Sequence, residues 1–251
     1  MSFDLFEKKP DISASSRKLY TFNLKKLNNN KEIKNLNFLS KPEILEKLDG
    51  LNPNTKRTYI IAIVSSLKDR PETKYKKLYD KFYKMLVEIN ADLKNNNTKS
   101  EKQKDNWISQ EEVIKKFNEL AEVTAEIKGR RKISDEKYTQ LLHAVVLGLY
   151  CLQPPRRNND YTNCFVVKKV PDDTERNYLD IKDWEWVFNN YKTKKTYKQV
   201  KLDVPDELED LLKVYLQYHP HAKEMKKKSF EPVPLLMSQD GKAIDTSTEM
   251  T

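Results

Sequence analysis

Two adjacent arginines, Arg156 and Arg157, follow a pair of prolines in the run LGLYCLQPPRRNNDY at 147–161. A guanidinium is a planar fork that donates two hydrogen bonds to two phosphate oxygens, and it keeps its charge at any physiological pH. Asp160 stands three residues after Arg157 and is placed to orient that side chain. The sequence therefore predicts a phosphate-binding site built on Arg157, with Asp160 in support.

A lysine further along the chain adds proton-transfer chemistry to this site. Lys192 lies in the segment YKTKK at 191–195, which the pattern predicts to be the turn of a β-hairpin. A lysine at a hairpin tip can reach bound DNA and donate a proton to a leaving oxygen, a role that typically gives ~10²–10⁴-fold. Arg157 would meanwhile stabilise charge on the nonbridging phosphate oxygens. We expect Arg157 and Lys192 to be the catalytic pair.

The sequence contains no motif for a zinc site, a hydrolase site or a nucleotide-binding loop. The three histidines have no zinc-ligand spacing with either of the two cysteines, and P-loop, GxSxG and HExxH motifs are absent. The chain contains only 4 glycines, which argues against glycine-rich nucleotide loops. The sequence therefore predicts no metal site and no cofactor.

The charge balance favours a polyanionic partner. The net charge is +9, and the window from Asn54 to Lys104 holds 13 lysines and arginines against 6 acids. Such a surface can follow a phosphate backbone, so double-stranded DNA is the expected partner. The cations that we expect to contact DNA are Lys56, Arg57, Lys74, Lys76, Lys77, Arg130, Arg131, Arg156, Lys194 and Lys195.

The predicted elements place these residues in two domains. Residues 1–12 are expected to be a flexible arm, 13–94 a bundle of four helices, 95–106 a polar linker, and 107–251 a second domain. In the second domain, a wide apolar helix after Ser134 leads to the arginines, and short segments rich in β-branched and aromatic residues predict a three- to four-stranded antiparallel sheet that carries Lys192. The expected fold class is mainly α with a small antiparallel sheet, an α+β fold.

The location of the protein is predicted from what the sequence lacks. No apolar run approaches the ~20 residues that span a bilayer, and the first ten residues do not have the form of a signal peptide. Two cysteines near apolar runs are typical of reduced, buried thiols. We therefore expect an intracellular protein with no membrane partner.

Together, these motifs resemble those of tyrosine recombinases, the phage-integrase type of DNA breaking and rejoining enzyme. The run Arg157-Asn-Asn-Asp160 is similar to the family's first catalytic arginine with an acid three positions later, and Arg156 is the adjacent alternative. Lys192-Thr193 is similar to its catalytic lysine in a β-hairpin turn, with Lys194 and Lys195 as alternatives. The PPRRNNDY form looks most like members from eukaryotic viruses and mobile elements.

The resemblance covers nearly the whole chain and implies both a fold and an activity. Residues 13–94 are similar to the helical, SAM-like core-binding domain, and 107–251 to the first part of the catalytic domain. The family breaks and rejoins DNA through a 3′-phosphotyrosine intermediate, without metal or nucleotide, and self-assembles on DNA. Its members would act in a host nucleus or at a site of viral or mobile-element replication.

One departure from the family pattern limits what we expect of this chain alone. No His-x-x-Arg follows Lys192, and no tyrosine matches the family's C-terminal nucleophile. We therefore expect a partial catalytic domain that does not cleave DNA by itself. Two alternatives remain: a non-catalytic DNA-binding protein derived from a recombinase, and a helical virion or scaffold protein that binds no DNA.

Overall fold

The computed structural model describes residues 3–95, 101–246 and 248–250, and the chain forms two compact units, Met1–Asn106 and Trp107–Thr251. Helices dominate both units, and a small sheet occurs in the second. The predicted fold class is confirmed at this level.

Unit 1 is a helical unit with its own apolar core. Ser13 accepts a hydrogen bond from the Ser16 amide at the start of its first helix, and Asn52 caps the third in the same way. Leu24, Ile60 and Phe82 are among the side chains buried in its core. Its elements are α1 (Ala14–Leu27), a 3₁₀ turn (Asn37–Ser40), α2 (Pro42–Asp49), α3 (Pro53–Leu67), α4 (Thr73–Asn95) and α5 (Glu101–Asp105).

The prediction of a flexible N-terminal arm is wrong for residues 3–12. The Phe6 side chain is only 2% exposed and belongs to the core of unit 1. The guanidinium of Arg70 donates to the carbonyl oxygen of Asp4 at 2.8 Å, and Arg17 pairs with the Asp4 carboxylate at 2.9 Å. One aromatic anchor and two arginine contacts therefore hold a segment whose overall composition is polar.

The predicted linker at 95–106 coincides with the boundary between the units but is not wholly irregular. α4 extends to Asn95, and α5 occupies Glu101–Asp105. The part of this prediction that concerns residues 96–100 lies outside the described residues.

Unit 2 packs two long helices and a third against the sheet. A capping box at Ser109 and Glu112 begins α6, and Ser134 caps α7, which is buried along most of its length. Tyr161 and Trp186 are among the fully buried side chains. The elements are α6 (Gln110–Ile127), α7 (Asp135–Cys151), α8 (Asn158–Thr162), β1 (Cys164–Val167), β2 (Asn177–Asp180), β3 (Glu185–Phe188), α9 (Lys194–Tyr197), β4 (Val200–Asp203), α10 (Asp206–Tyr218), α11 (Ala222–Met225) and β5 (Val233–Pro234).

The sheet differs from the prediction in strand number and direction. It has five strands in the order β4-β3-β2-β1-β5, and β1 pairs with β2 in parallel, whereas the other pairs are antiparallel. The parallel pair arises because the segment 168–176 carries the chain back to the starting end of β1 before β2 begins. β2 is buried at all four positions, as expected of a strand covered on both faces. The sheet is therefore mixed.

No helix in the described part of the chain combines the length and the apolar character that crossing a membrane requires.

Candidate phosphate-binding cleft

The two arginines and the β3–β4 loop line one cleft of about 530 Å³ in unit 2. The arginines lie in the connection between α7 and α8, where Arg157 is the N-cap residue of α8. The loop, residues 189–199, leads from the end of β3 to the start of β4 and includes α9. The lining residues are Pro155, Arg156, Arg157, Asp160, Tyr191, Thr193, Tyr197 and Val200.

Arg156 is the cation whose orientation is fixed. Its Nε donates a hydrogen bond to Asp160 Oδ2 at 3.1 Å. Its guanidinium carbon lies 3.7 Å from the centroid of the Phe188 ring and 5.2 Å from that of Tyr191. The Arg156 side chain is 18% exposed, so a carboxylate and an aromatic face hold the guanidinium in place while one side stays open.

The prediction that Asp160 orients Arg157 is therefore wrong. Arg157 lines the cleft with an exposed side chain, while Asp160 forms its ion pair with Arg156 at an i,i+4 spacing. The reason lies in the helix start. Arg157 is the N-cap of α8, with extended backbone angles, and its carbonyl accepts the first-turn hydrogen bond from the Asp160 amide. With this geometry the Asp160 carboxylate pairs with Arg156, the residue before the N-cap.

The Asp160 carboxylate occupies an unfavourable place for a charge. The residue is 3% exposed. Burial raises the pKa of Asp160 above its ordinary value, and the charge and hydrogen bond of Arg156 oppose this without cancelling it. An acid with a raised pKa that holds an arginine at a cleft is a candidate functional residue.

Lys192 lies beside the cleft rather than in its lining. Its neighbours Tyr191 and Thr193 both line the cleft, and the Lys192 side chain is exposed. The Tyr191 hydroxyl donates to the carbonyl oxygen of Lys198 at 2.8 Å, which closes the loop on itself. The structure thus brings the lysine-bearing loop to the arginines, in a longer and more folded connection than the predicted turn.

The two alternative lysines belong to α9. The Lys194 ammonium lies 3.7 Å from the Glu175 carboxylate. Lys195 is exposed on the same short helix. The ion pair makes Lys194 less available for an external phosphate than Lys192 or Lys195.

Sequence reasoning missed the residue that connects the cleft walls, Asn177. Its side chain is fully buried at 0% exposure. Nδ2 donates to the carbonyl oxygens of Asp160 at 2.8 Å and Asn190 at 3.0 Å. Oδ1 accepts from the amides of Asn189 at 2.9 Å and Asn190 at 2.7 Å. The available signal was a polar amide at the start of a short strand that is otherwise rich in apolar residues.

A half-buried amide, Gln153, supports the arginine connection from behind. It donates to the Tyr161 hydroxyl at 2.7 Å and accepts from Trp186 Nε1 at 3.0 Å. The Tyr161 ring packs edge-on against Trp186 and Phe188. Burial raises the pKa of the Tyr161 hydroxyl, so it remains a neutral structural group. Phe188, the ring beneath Arg156, is thereby fixed as well.

The predicted DNA-contacting cations of unit 1 do not form one cluster. Arg57 Nε donates to Asn90 near the end of α4, whereas Lys74 lies 16 residues earlier on that helix, about 24 Å away along its axis. Lys56 pairs with Asp49 at 2.6 Å. Lys56 and Arg57 thus form one group, and Lys74, Lys76 and Lys77 form a second. Lys76 and Lys77 are exposed, and the Lys74 ammonium lies 4.9 Å from the Tyr75 ring centroid.

Arg130 and Arg131 are not brought to the cleft. Both are exposed in the turn between α6 and α7. The arginine pair of the cleft follows the other end of α7, a helix of 17 residues, which spans about 25 Å. These two residues therefore belong to a separate part of the surface of unit 2.

Comparison of the chain with protein-family models, with curated proteins and with solved structures finds no match in any of the three. Among the described residues, no group of three or more histidines, cysteines and acids is arranged to hold a metal ion.

Proposed function

We propose that the chain binds double-stranded DNA and that the cleft of unit 2 holds a backbone phosphate. The observation that carries this proposal is the fixed guanidinium of Arg156, held by Asp160 and Phe188 in a cleft that Arg157 shares. An anion with several oxygens is the ligand that suits two guanidinium groups in one concave site. The net charge of +9 favours a polyanion over a small phosphate ester.

The geometry of the guanidinium supports a phosphate contact. Its bond to Asp160 uses Nε, and the terminal nitrogens donate no hydrogen bond within the described part of the chain. These nitrogens form the fork that binds two oxygens of one phosphate. Because the Phe188 face supports the guanidinium plane, little conformational entropy is lost when the phosphate binds.

Within this proposal, the chain is the DNA-binding part of a tyrosine recombinase or integrase. Unit 1 would serve as the core-binding domain, and unit 2 as part of the catalytic domain, with assembly on DNA. A tyrosine oxygen would attack phosphorus and form a phosphotyrosine bond, while the bond to the 5′-oxygen breaks. Lys192 would give that oxygen its proton, and Arg156 and Arg157 would stabilise the nonbridging oxygens. The order of arginine, sheet and lysine-bearing loop supports this assignment.

Duplex binding tests the first part of the proposal. Fluorescence anisotropy with a labelled duplex should show affinity that falls as salt rises. Arg156→Gln and Arg157→Gln should each weaken binding at least about tenfold at low salt, because a hydrogen bond to a charged group contributes at least about 1.5 kcal/mol and about 1.4 kcal/mol is a factor of ten. The matched control is Lys182→Gln, an exposed cation after β2 at the end of the sheet away from Asn177.

Two results would overturn the proposal of a phosphate-binding cleft. The first is the absence of duplex binding even at low salt, which would favour a scaffold that binds no DNA. The second is an equal effect of Lys182→Gln and the arginine variants, which would indicate diffuse attraction by net charge.

Covalent chemistry is tested separately with a nicked duplex that traps a protein–DNA adduct. We expect salt-dependent binding without an adduct from this chain alone. An adduct would show that the chain carries its own nucleophile, and peptide mapping would first examine Tyr191 and Tyr197, which line the cleft.

A further inference from the structure

Asn177 uses its whole side-chain amide to join separate elements. It is the first residue of β2, and its backbone already pairs with β1 in the ladder. A neutral amide offers two donors and one acceptor oxygen with two lone pairs. Asn177 satisfies all of them, through two donated and two accepted hydrogen bonds of 2.7–3.0 Å.

The partners of Asn177 are the two walls of the cleft. One is the carbonyl of Asp160, the residue whose carboxylate holds Arg156. The others are backbone groups of Asn189 and Asn190, which immediately precede Tyr191 and Lys192 in the β3–β4 loop. The sheet does not need these bonds for its register, which the ladders on both sides of β2 set.

We propose that Asn177 is the positioning residue of the cleft, which sets the spacing between Arg156 and the loop that carries Lys192. This inference rests on the proposed phosphate-binding function. Asn177 touches no phosphate, because it is buried at 0% exposure behind both walls. Its amide is neutral, so it fixes the two walls without adding a negative charge that would repel the bound anion.

The loop carries a further amide contact that supports this role. Asn189 Oδ1 accepts from Gln199 at 2.7 Å, and Asn189 Nδ2 donates to the Arg176 carbonyl oxygen at 3.1 Å. The first contact joins the two ends of the loop, and the second joins the loop to the residue before Asn177. Tyr191 and Thr193 thus enter the cleft from a loop that is anchored at its base.

The decisive experiment is a double-mutant cycle on duplex affinity. Asn177→Asp keeps the two accepted bonds and loses both donors, so the link to Asp160 breaks while the amides of Asn189 and Asn190 stay bound. The negative charge that it adds repels DNA independently of Arg156, so repulsion alone would make the two losses in the cycle multiply. We expect Asn177→Asp and Arg156→Gln each to weaken binding about tenfold, and the double variant to bind no worse than either single variant. A residue that only stabilises the fold would not show this coupling to Arg156.

The matched control is Tyr215→Phe, which removes a fully buried hydroxyl of unit 2 that donates to the Leu235 carbonyl oxygen at 3.1 Å. It should lower the melting temperature and leave the affinity of the folded protein unchanged. If Tyr215→Phe weakens binding as much as Asn177→Asp, or if the two losses in the cycle multiply to about a hundredfold, the positioning role is refuted.

Failure of this inference is distinguishable from failure of the proposed function. If Arg156→Gln does not change affinity, the phosphate-binding cleft itself is wrong. If Arg156→Gln weakens binding and Asn177→Asp does not, only the role of Asn177 is wrong.

Hydrogen exchange on the unmodified chain gives a result even if the Asn177 variants do not fold. The amides of Asn189 and Asn190 lie outside the strands, yet both donate to Asn177. They should exchange as slowly as amides of β2. Exchange at the rate of the exposed Lys195 region would overturn the proposal.

Discussion

Replacing Asp160 by asparagine separates what the carboxylate does for the cleft from what it does for stability. Asparagine keeps the shape of the side chain, and its oxygen can still accept from Arg156 Nε. The negative charge, which strengthens that bond, is lost. We expect duplex affinity to fall while the free energy of unfolding of unit 2 changes little.

Two opposing effects set the change in stability. Burial raises the pKa of Asp160, which means that its ionised form is less favourable in the folded state than in the unfolded chain. Removing the charge relieves this penalty, whereas the weaker bond to Arg156 costs about 1 kcal/mol. The two contributions have opposite signs, so the free energy of unfolding of unit 2 should change little. The melting temperature should stay within about 3 °C of the wild-type value, the shift that about 1 kcal/mol gives in a unit of this size.

Asp160→Asn has two opposite effects on the affinity for DNA, one through the net charge and one through the orientation of Arg156. Asp160→Asn removes one negative charge and so raises the net charge by one, which by itself strengthens binding to a polyanion. The same change loosens the Arg156 guanidinium, whose Nε the carboxylate holds at 3.1 Å. We expect the loss of orientation to dominate and the affinity to fall about threefold to tenfold, equal to about 1 kcal/mol.

Anisotropy titration at fixed low salt and thermal melts by circular dichroism measure the two quantities on the same samples. The melts should also differ in pH dependence. Since the pKa of Asp160 is raised, its unfavourable contribution disappears as the pH falls through the raised value towards the ordinary value near 4. The wild type should therefore gain stability relative to Asp160→Asn over that interval.

A destabilisation of more than about 3 kcal/mol, the cost of breaking a buried ion pair, would show that Asp160 supports the fold and would refute its role in orienting Arg156. Tighter binding by Asp160→Asn would also refute it, because net charge rather than the orientation of Arg156 would then govern affinity.

Three further predictions concern other parts of the chain. Phe6→Ala should destabilise unit 1 by about 3–4 kcal/mol in denaturant melts, because the ring is 2% exposed in its core; a loss below about 1 kcal/mol would mean that the N-terminal segment is not docked. Burial lowers the pKa of His219 to about 4, so the unfolded chain binds the extra proton first as the pH falls below about 6.5. Unit 2 should therefore lose about 2 kcal/mol between pH 7 and pH 5, and melts of His219→Gln should lack most of this loss. Lys192→Ala should leave the melting temperature unchanged and lower the salt slope of duplex binding by about one, whereas Lys194→Ala should have the smaller effect on binding, because Lys194 already pairs with Glu175.

The long elements of the fold could be predicted because their signals are repeated along the chain. The apolar positions of α7 and the serine before it predict a buried, capped helix, and the structure has both. Paired strands on either side of residues 191–195 were also predicted, and β3 and β4 pair across that loop. In these segments many residues favour the same structure, so single exceptions matter little.

The errors occur where one contact decides the outcome. Whether Asp160 pairs with Arg156 or Arg157 depends on which residue begins α8, and an offset of one residue changes the partner. Phe6 docks because a pocket exists in the core of unit 1, which the sequence of the first twelve residues does not describe. The direction of β2 depends on the path of segment 168–176, for which composition gives no signal.

The amide side chains around the cleft are present for a physical reason that the composition of the chain does not reveal. The arginine connection and the β3–β4 loop lack the regular backbone pairing of helices and strands, and buried backbone groups without partners are costly. Asn177 and Asn189 supply these partners from their side chains, and Gln199 donates to the Asn189 side-chain oxygen and holds that amide in place. The asparagines of the loop therefore act as substitutes for a ladder and shape an irregular segment that a sheet could not form.

The cleft combines a rigid hydrogen-bond network around Asn177 with the buried carboxylate of Asp160, and a functional role explains both. A fold selected for stability alone would have no use for a 3% exposed carboxylate whose pKa burial raises. Departures from the most stable arrangement are expected where a site needs a particular geometry. Two variants therefore separate stability from orientation. Asp160→Asn should bind DNA less tightly without losing stability, whereas Asn177→Asp, which breaks a bond to the Asp160 backbone, should lose both affinity and stability.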